Sequence, residues 1–384
     1  MKILFNKPYI TKNSEKYILD SLKSLKHCGN HSWNAKCVEL LKTKYKFKEV
    51  FLVPSCTAAL EMGIMLTGIK PGDEVILPSY TFSSTATAVL LSGGKPIFCE
   101  IEPNTMNIDI NHLKKLITHK TKCIMPIDYA GITCDIKSIN SIASQYNIPV
   151  LVDSAQSLNS KTKENEWAGT CSELATFSFH ETKNFSSGEG GALVVNKEDW
   201  IERAHFLQEK GTDRKLVIDG VKSKYGWVDI GSSYLLSDIL GSLLFSQLEN
   251  IDLIISLRKK VTDAYNKILL PFHEAGFIKC PIIPKGSSIN HHAYFIIFDT
   301  PENRSIFLKN LKELFDVSAY IGYQPLHSSK KGRKLGYLPQ DLPITEDLAS
   351  KIVRLPFYTE LGEKTNQLNY TTNAISSVLT NMYS

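Results

Sequence analysis

The sequence predicts an α/β protein whose main sheet is covered by helices on both faces and is followed by a second, smaller domain. Three observations carry this expectation. From about residue 50, short β-branched or apolar runs alternate with longer segments of helical periodicity, each handed over by Gly, Pro, Ser or Asp. The apolar runs are nearly continuous, which suits strands buried on both faces. The 384 residues, 43% hydrophobic and 22% charged, suffice for two cores and exclude a disordered, collagenous or disulfide-stapled miniature protein.

Taken in order, Phe51-Leu52-Val53 reads as a strand, and Pro54-Ser55 as the turn into a helix from Cys56. That helix presents Ala59, Met62 and Leu66 on one face and is capped by Ser55 or Thr57. Glu74-Val75-Ile76-Leu77 repeats the pattern before a helix starting near Thr81, and residues 96–99, 123–126 and 150–153 supply further strands. Two more lie at 175–179 and 192–195, separated by the polar, glycine-rich HETKNFSSGEGG. Residues 234–270 read as largely helical, with a later strand at 293–298. No long Ser/Gly linker separates the parts, so residues 1–245 are expected to form the large domain and 246–384 the small one, packed together.

Charge and cysteine usage narrow the function. The 44 Lys+Arg and 39 Asp+Glu leave +5, and the basic residues are scattered among acids, which points away from nucleic acid but suits a small anionic substrate. Eight cysteines without a C-x-x-C pair read as free thiols in a reducing compartment, not as a metal site. The N-terminus has too short an apolar stretch for a secretory signal, and no run of 18 apolar residues exists, so a soluble cytoplasmic protein is expected, with no membrane partner.

Two residues carry the chemistry. Lys183, just past a buried strand and beside a Ser/Gly loop, can project into a cleft at the strand ends, where desolvation makes its amine a nucleophile towards an aldehyde. The ordinary reading of a lysine is a solvated charge. Asp153 ends the run Ile148–Val152 at the carboxyl edge of the sheet, where α/β proteins gather ligands; alone, it reads more readily as a helix cap. Together, a lysine able to form a Schiff base and an aspartate able to keep a pyridine nitrogen protonated are the two groups that pyridoxal phosphate requires. Ser55-Cys56-Thr57 at a helix start can cradle a phosphate or simply cap the helix. Phe82 can stack on a cofactor or serve the core, and Gln156 can donate to a cofactor oxygen. Gly188-Glu189-Gly190-Gly191 fits neither dinucleotide nor P-loop spacing and reads as a tight turn.

These motifs resemble the DegT/DnrJ/EryC1/StrS sugar aminotransferases. The resemblance runs through Pro54–Leu60, Pro71–Ile76 with Tyr80-Thr81-Phe82, Asp153-Ser154-Ala155-Gln156, and Ser178–Asn184 with Gly188–Gly191. It implies the fold-type I architecture, a large domain with a mixed, mostly parallel sheet plus a smaller C-terminal α/β domain, and pyridoxal 5'-phosphate as cofactor. It further implies that Lys183 is the Schiff-base lysine, Asp153 the pyridinium partner and Phe82 the stacking ring. Thr57 and Ser178 would hold the phosphate beside the Cys56 amide, and Gln156 would touch the ring. Where the family usually carries Asn followed by Tyr-Arg, this chain has Gly231–Asp238, so Ser233 would reach the cofactor of a neighbouring subunit or the contact is lost.

Cys28-Gly29, Lys210-Gly211-Thr212 and Trp227–Tyr234 are similar to one branch, the dTDP-4-oxo-6-deoxy-D-glucose aminotransferases of bacterial surface-polysaccharide pathways. That branch implies a homodimer with shared sites, L-glutamate as donor and a dTDP-4-amino-4,6-dideoxyhexose as product. Lys210, Arg214 and Tyr225 are candidate contacts to the sugar nucleotide, as is His327 in a family-like Pro-Leu-His segment; each also has a structural reading. The alternatives are a 3-oxo sugar nucleotide aminotransferase and a cofactor-binding regulatory protein without turnover.

Overall fold

The computed structural model describes residues 1–383. Seven apolar runs form the strands of the larger sheet: β1 (Glu49–Val53), β2 (Glu74–Pro78), β3 (Lys95–Cys99), β4 (Thr121–Ile124), β5 (Leu151–Asp153), β6 (Leu174–Ser178) and β7 (Gly191–Val195). Hydrogen bonding orders them β1-β7-β6-β5 and β3-β2-β4, and parallel bridges Ile124 to Val150 and Ile127 to Asp153 join the two halves. Only β7 runs antiparallel to its neighbours, so the sheet is mixed and mostly parallel.

Alternate residues of these strands enter two separate cores. Phe51, Val53, Val75, Leu77, Leu151 and Leu193 face one; Leu52, Ile76, Val152, Ala175, Phe177 and Val194 face the other. That is why the strand interiors are largely apolar on both faces. The helix Cys56–Thr67 buries Ala59, Met62 and Leu66 against the first of these cores. Its cap is Ser55, not Thr57: the Ser55 hydroxyl accepts the Ala58 amide at 3.1 Å. The helix expected near Thr81 begins at Ser83.

A second, four-stranded antiparallel sheet comprises β8 (Ile278–Lys279), β9 (Phe295–Phe298), β10 (Tyr320–Ile321) and β11 (Ile352–Arg354), ordered β10-β11-β9-β8. Helices Pro301–Phe315 and Thr365–Tyr383 share its core.

Three details depart from expectation. Residues 234–237 are not helical, and a break separates Asp238–Leu248 from Ile251–Glu274. Residue 245, expected to close the large domain, therefore lies inside a helix whose Leu244 and Leu248 belong to the larger sheet's core. The change of core occurs along the next helix, where Ile251 and Ile254 pack with the large sheet but Val261, Tyr265 and Leu269 pack with the small one. Ile3, 1% exposed, pairs with Val317 in the small core, so the first residues do not stay with the large sheet. Among the described residues no single helix is long and apolar enough to cross a membrane.

Candidate active site

The carboxyl ends of β5 and β6, the loop after β6 and the start of helix Cys56–Thr67 converge on one cavity of about 360 Å³. The loop is tied back onto its strands: the Phe179 amide donates to the Gly190 carbonyl at 2.8 Å, Ser187 to Phe179 at 2.9 Å, and Glu181 to Gly188 at 2.8 Å. The Lys183 amide closes a turn onto the His180 carbonyl at 2.9 Å. This turn, not a helix or strand, presents the Lys183 side chain to the cavity. Gly191 allows the closure, since a Cβ there would stand 2.5 Å from the Cys56 nitrogen and from the Ser55 carbonyl carbon.

Burial dominates the electrostatics. Desolvation lowers the Lys183 amine to about 8; nearby Arg354 pushes the same way, while Cys56 and Asp153 oppose it. Among the described residues no hydrogen bond or ion pair occupies that amine. Asp153 is 8% exposed, and its desolvation raises the carboxyl above the ordinary range. Hydrogen bonds restrain the rise: Thr85 Oγ1 donates at 2.8 Å and the Ala155 amide at 3.2 Å, with the Lys183 charge adding to them. Thr81 and Thr85 share a hydroxyl contact of 2.9 Å, which fixes the Thr85 rotamer.

Of the candidate residues, Cys56, Thr57, Phe82, Asp153, Gln156, Ser178 and Lys183 all line this one cavity. Cys56 and Thr57 occupy the first turn of their helix, whose amides have no partner within the helix. Thr57 Oγ1 lies 2.7 Å from Ser84 Oγ. Phe82 remains 58% exposed, a ring without a packed partner on one face. Gln156 sits in a run of turns, not on a helix; its carbonyl accepts the Ala130 amide at 2.8 Å and its amide donates to Tyr323 Oη at 3.2 Å. The cavity thus combines hydroxyls, helix-end amides, an exposed ring face, a carboxylate and a low-pKa amine, a donor set that fits a phosphorylated aromatic aldehyde.

The structure does not bring the remaining candidates to this cavity. Ser233, Lys210, Arg214 and Tyr225 are exposed on a neighbouring segment, where Ser233 bridges to Glu209 and Lys210 Nζ lies 3.5 Å from the Glu209 carboxylate. His327 is fully buried, with Nδ1 2.7 Å from Ser79 Oγ and Nε2 3.4 Å from the Glu346 carboxylate. With both ring nitrogens engaged inside the protein, it anchors the 324–327 segment and cannot meet a substrate. Conversely, sequence reasoning missed Ser84, Thr85, His292, Tyr323 and Arg354, which line the cavity or support Asp153. No local motif marks them; Tyr323, just after β10, and Arg354, at the end of β11, come to the cavity from the small antiparallel sheet.

Comparison with known proteins points to one family. The pattern of the DegT/DnrJ/EryC1/StrS aminotransferase family matches residues 9–372. An uncharacterized protein of Methanocaldococcus jannaschii is 28% identical, with 93% of each chain covered. The GDP-perosamine synthase of Escherichia coli O157:H7 is 27% identical, again over 93% of both chains. The crystal structure of NtdA from Bacillus subtilis, solved with bound cofactor PMP, superposes with a TM-score of 0.85 at 25% identity, covering 97% of this chain and 83% of that one.

Proposed function

Since the chain belongs to the DegT/DnrJ/EryC1/StrS aminotransferase family, we propose that it uses pyridoxal 5'-phosphate to move the amino group of L-glutamate to C4 of dTDP-4-oxo-6-deoxy-D-glucose. The product is a dTDP-4-amino-4,6-dideoxyhexose for a bacterial surface polysaccharide. The observation that carries this reading is the meeting of Lys183 and Asp153, from separate elements, in one cavity beside an unpaired helix start.

The cofactor supplies, when bound, an electron sink for charge developing at the carbon that loses a proton. Lys183 and Asp153 would hold its two ends. The Cys56 and Thr57 amides with the Thr57 and Ser178 hydroxyls would take the phosphate, Phe82 would cover the ring, and Gln156 would stand beside it. Lys183, with its basicity reduced to about 8, carries a larger fraction of free amine near neutral pH than an ordinary lysine and is placed to take the proton from the donor's Cα and deliver one to sugar C4. Thr85 and the Ala155 amide favour the carboxylate form of Asp153 and so restrain the rise that burial causes.

Ser233, Lys210, Arg214 and Tyr225 would serve the cavity of a second subunit. The segment that carries them exposes Val221, Tyr225 and Ile230, with Trp227 82% exposed, as a surface awaiting a partner would. Support for a sugar nucleotide comes from the perosamine synthase among the relatives.

The test is incubation of the cofactor-loaded enzyme with L-glutamate and either 4-oxo or 3-oxo dTDP-6-deoxyglucose, with NMR of the product. A C4 amine with stoichiometric 2-oxoglutarate is expected; amination of the 3-oxo sugar alone would overturn the C4 assignment.

A further inference from the structure

His292, just before β9, is 5% exposed and lines the cavity that holds Lys183. Its Nδ1 lies 2.9 Å from Asn184 Oδ1, and the orientation of that amide is fixed because Asn184 Nδ2 donates to the Asn290 carbonyl at 2.7 Å. An amide oxygen can only accept, so Nδ1 carries the ring hydrogen and Nε2 is left with a lone pair. Among the described residues nothing donates to that lone pair. Burial, with the charges of Lys183, Arg354 and Arg258 behind it, holds the ring well below the usual histidine range, so the imidazole stays neutral and Nε2 stays an acceptor. The other histidine of the cavity, His180, is engaged at both ends: Nδ1 lies 2.9 Å from Thr182 Oγ1 and Nε2 lies 3.7 Å from the Glu189 carboxylate.

A buried acceptor without a donor is costly to keep, and a neutral imidazole nitrogen pairs only with O–H or N–H, never with a carboxylate, a phosphate or a ketone oxygen. Resting on the sugar aminotransferase reading of this cavity, we infer that His292 Nε2 accepts a hydrogen bond from the sugar hydroxyl next to the reacting ketone, the C3 hydroxyl of dTDP-4-oxo-6-deoxy-D-glucose. C4 has to come to Lys183, whose charge His292 senses across the shared cavity, and C3 is one bond from C4. The other neighbour of C4 is C5, which carries a methyl group and the ring oxygen, and neither can donate. The amino donor has less to offer this nitrogen: its carboxylates are acceptors, and its amine is the group that is carried away. Asn184 acts behind the ring as a positioning residue. It follows Lys183 in the chain, so the loop that presents the base also aims the acceptor.

The test uses cofactor-loaded wild type, His292→Asn and His292→Gln. An asparagine amide stands where Nδ1 does and keeps a partner for Asn184, whereas a glutamine amide stands where Nε2 does and can offer an oxygen to the sugar. Binding of dTDP-6-deoxyglucose, which lacks the ketone and cannot be aminated, is measured by calorimetry beside that of its 3-deoxy analogue, and the two half-reactions are timed separately from the cofactor absorbance. A hydrogen bond to a buried, otherwise unpaired acceptor predicts that wild type favours the 3-hydroxy ligand about 10-fold, that His292→Asn binds the two alike, and that His292→Gln recovers part of the preference. In His292→Asn the sugar half-reaction should lose about 10-fold more than the glutamate half-reaction. Equal affinity of wild type for the two ligands, an undiminished preference in His292→Asn, or equal loss in both half-reactions overturns the inference; the first of these needs no variant to fold. Should the enzyme aminate no 4-oxo sugar while the preference for the 3-hydroxyl persists and depends on His292, the C4 assignment fails and the hydroxyl contact stands.

Discussion

The reduced basicity of Lys183 makes a stability prediction that is independent of catalysis. Carrying a lysine from its ordinary 10.5 to about 8 makes the charged form costlier in the folded chain by about 3 kcal/mol, at about 1.4 kcal/mol per tenfold change in proton affinity. Lys183→Met removes the charge and leaves an unbranched side chain one atom shorter. In cofactor-free protein at pH 7 it should therefore stabilise by up to about 3 kcal/mol. With an unfolding entropy of about 2 cal/mol/K per residue, that is a Tm rise of about 4 °C. The sign reverses nowhere, but the gap closes with pH. Between about 8 and 10.5 the unfolded wild type still binds a proton that the folded one has released, so wild-type stability climbs while that of Lys183→Met does not. Urea unfolding of both proteins at pH 7 and 9.5 should show the difference shrinking by about 2 kcal/mol. A difference that stays constant across this range would refute a desolvated amine, and with it the neutral base assigned to Lys183. The same variant should lose amino transfer altogether.

Other perturbations probe the surroundings. Thr85→Val removes the 2.8 Å hydrogen bond that favours the anionic Asp153, so its carboxyl should rise and the acid limb of the kcat/KM profile should move to higher pH; an unmoved limb counts against Asp153 as the titrating group. Gly191→Ala places a methyl group 2.5 Å from the start of helix Cys56–Thr67 and should cost about 1–3 kcal/mol while weakening pyridoxal phosphate binding, measured by titration of the cofactor-free protein. Arg214→Glu should raise the KM for the sugar nucleotide and spare the glutamate half-reaction; equal damage to both halves argues against a substrate role.

The larger sheet was legible because its strands are buried on both faces, leaving runs such as Val50–Val53 and Ala192–Val195 with no polar interruption. Lys183 and Asp153 were legible for a related reason: each follows such a run, and a polar residue at the end of a doubly buried strand has only the sheet's edge to occupy. Arg354 was not. It is one of 44 basic residues, and it reaches the cavity through antiparallel pairing of β11 with β9, where Arg354 faces Phe295 across the ladder. Nothing near either residue encodes that pairing. His327 shows the converse error, since a short motif can match in sequence while its side chain turns inward to Ser79. The helix Ile251–Glu274 is amphipathic along its length, and its periodicity does not record that its two halves serve different cores.

The placement of the first few residues bears on how this chain is made. Ile3 is packed among side chains as late as Leu379, and the Phe5 carbonyl accepts the Phe357 amide at 2.9 Å, with Phe5 and Asn6 forming part of the cavity wall. A ribosome releases these residues long before the parts of the core that receive them. The large sheet can therefore assemble during translation, but the cavity is completed only after residues 354–357 have emerged, and residues 3–6 must wait unsheltered until then.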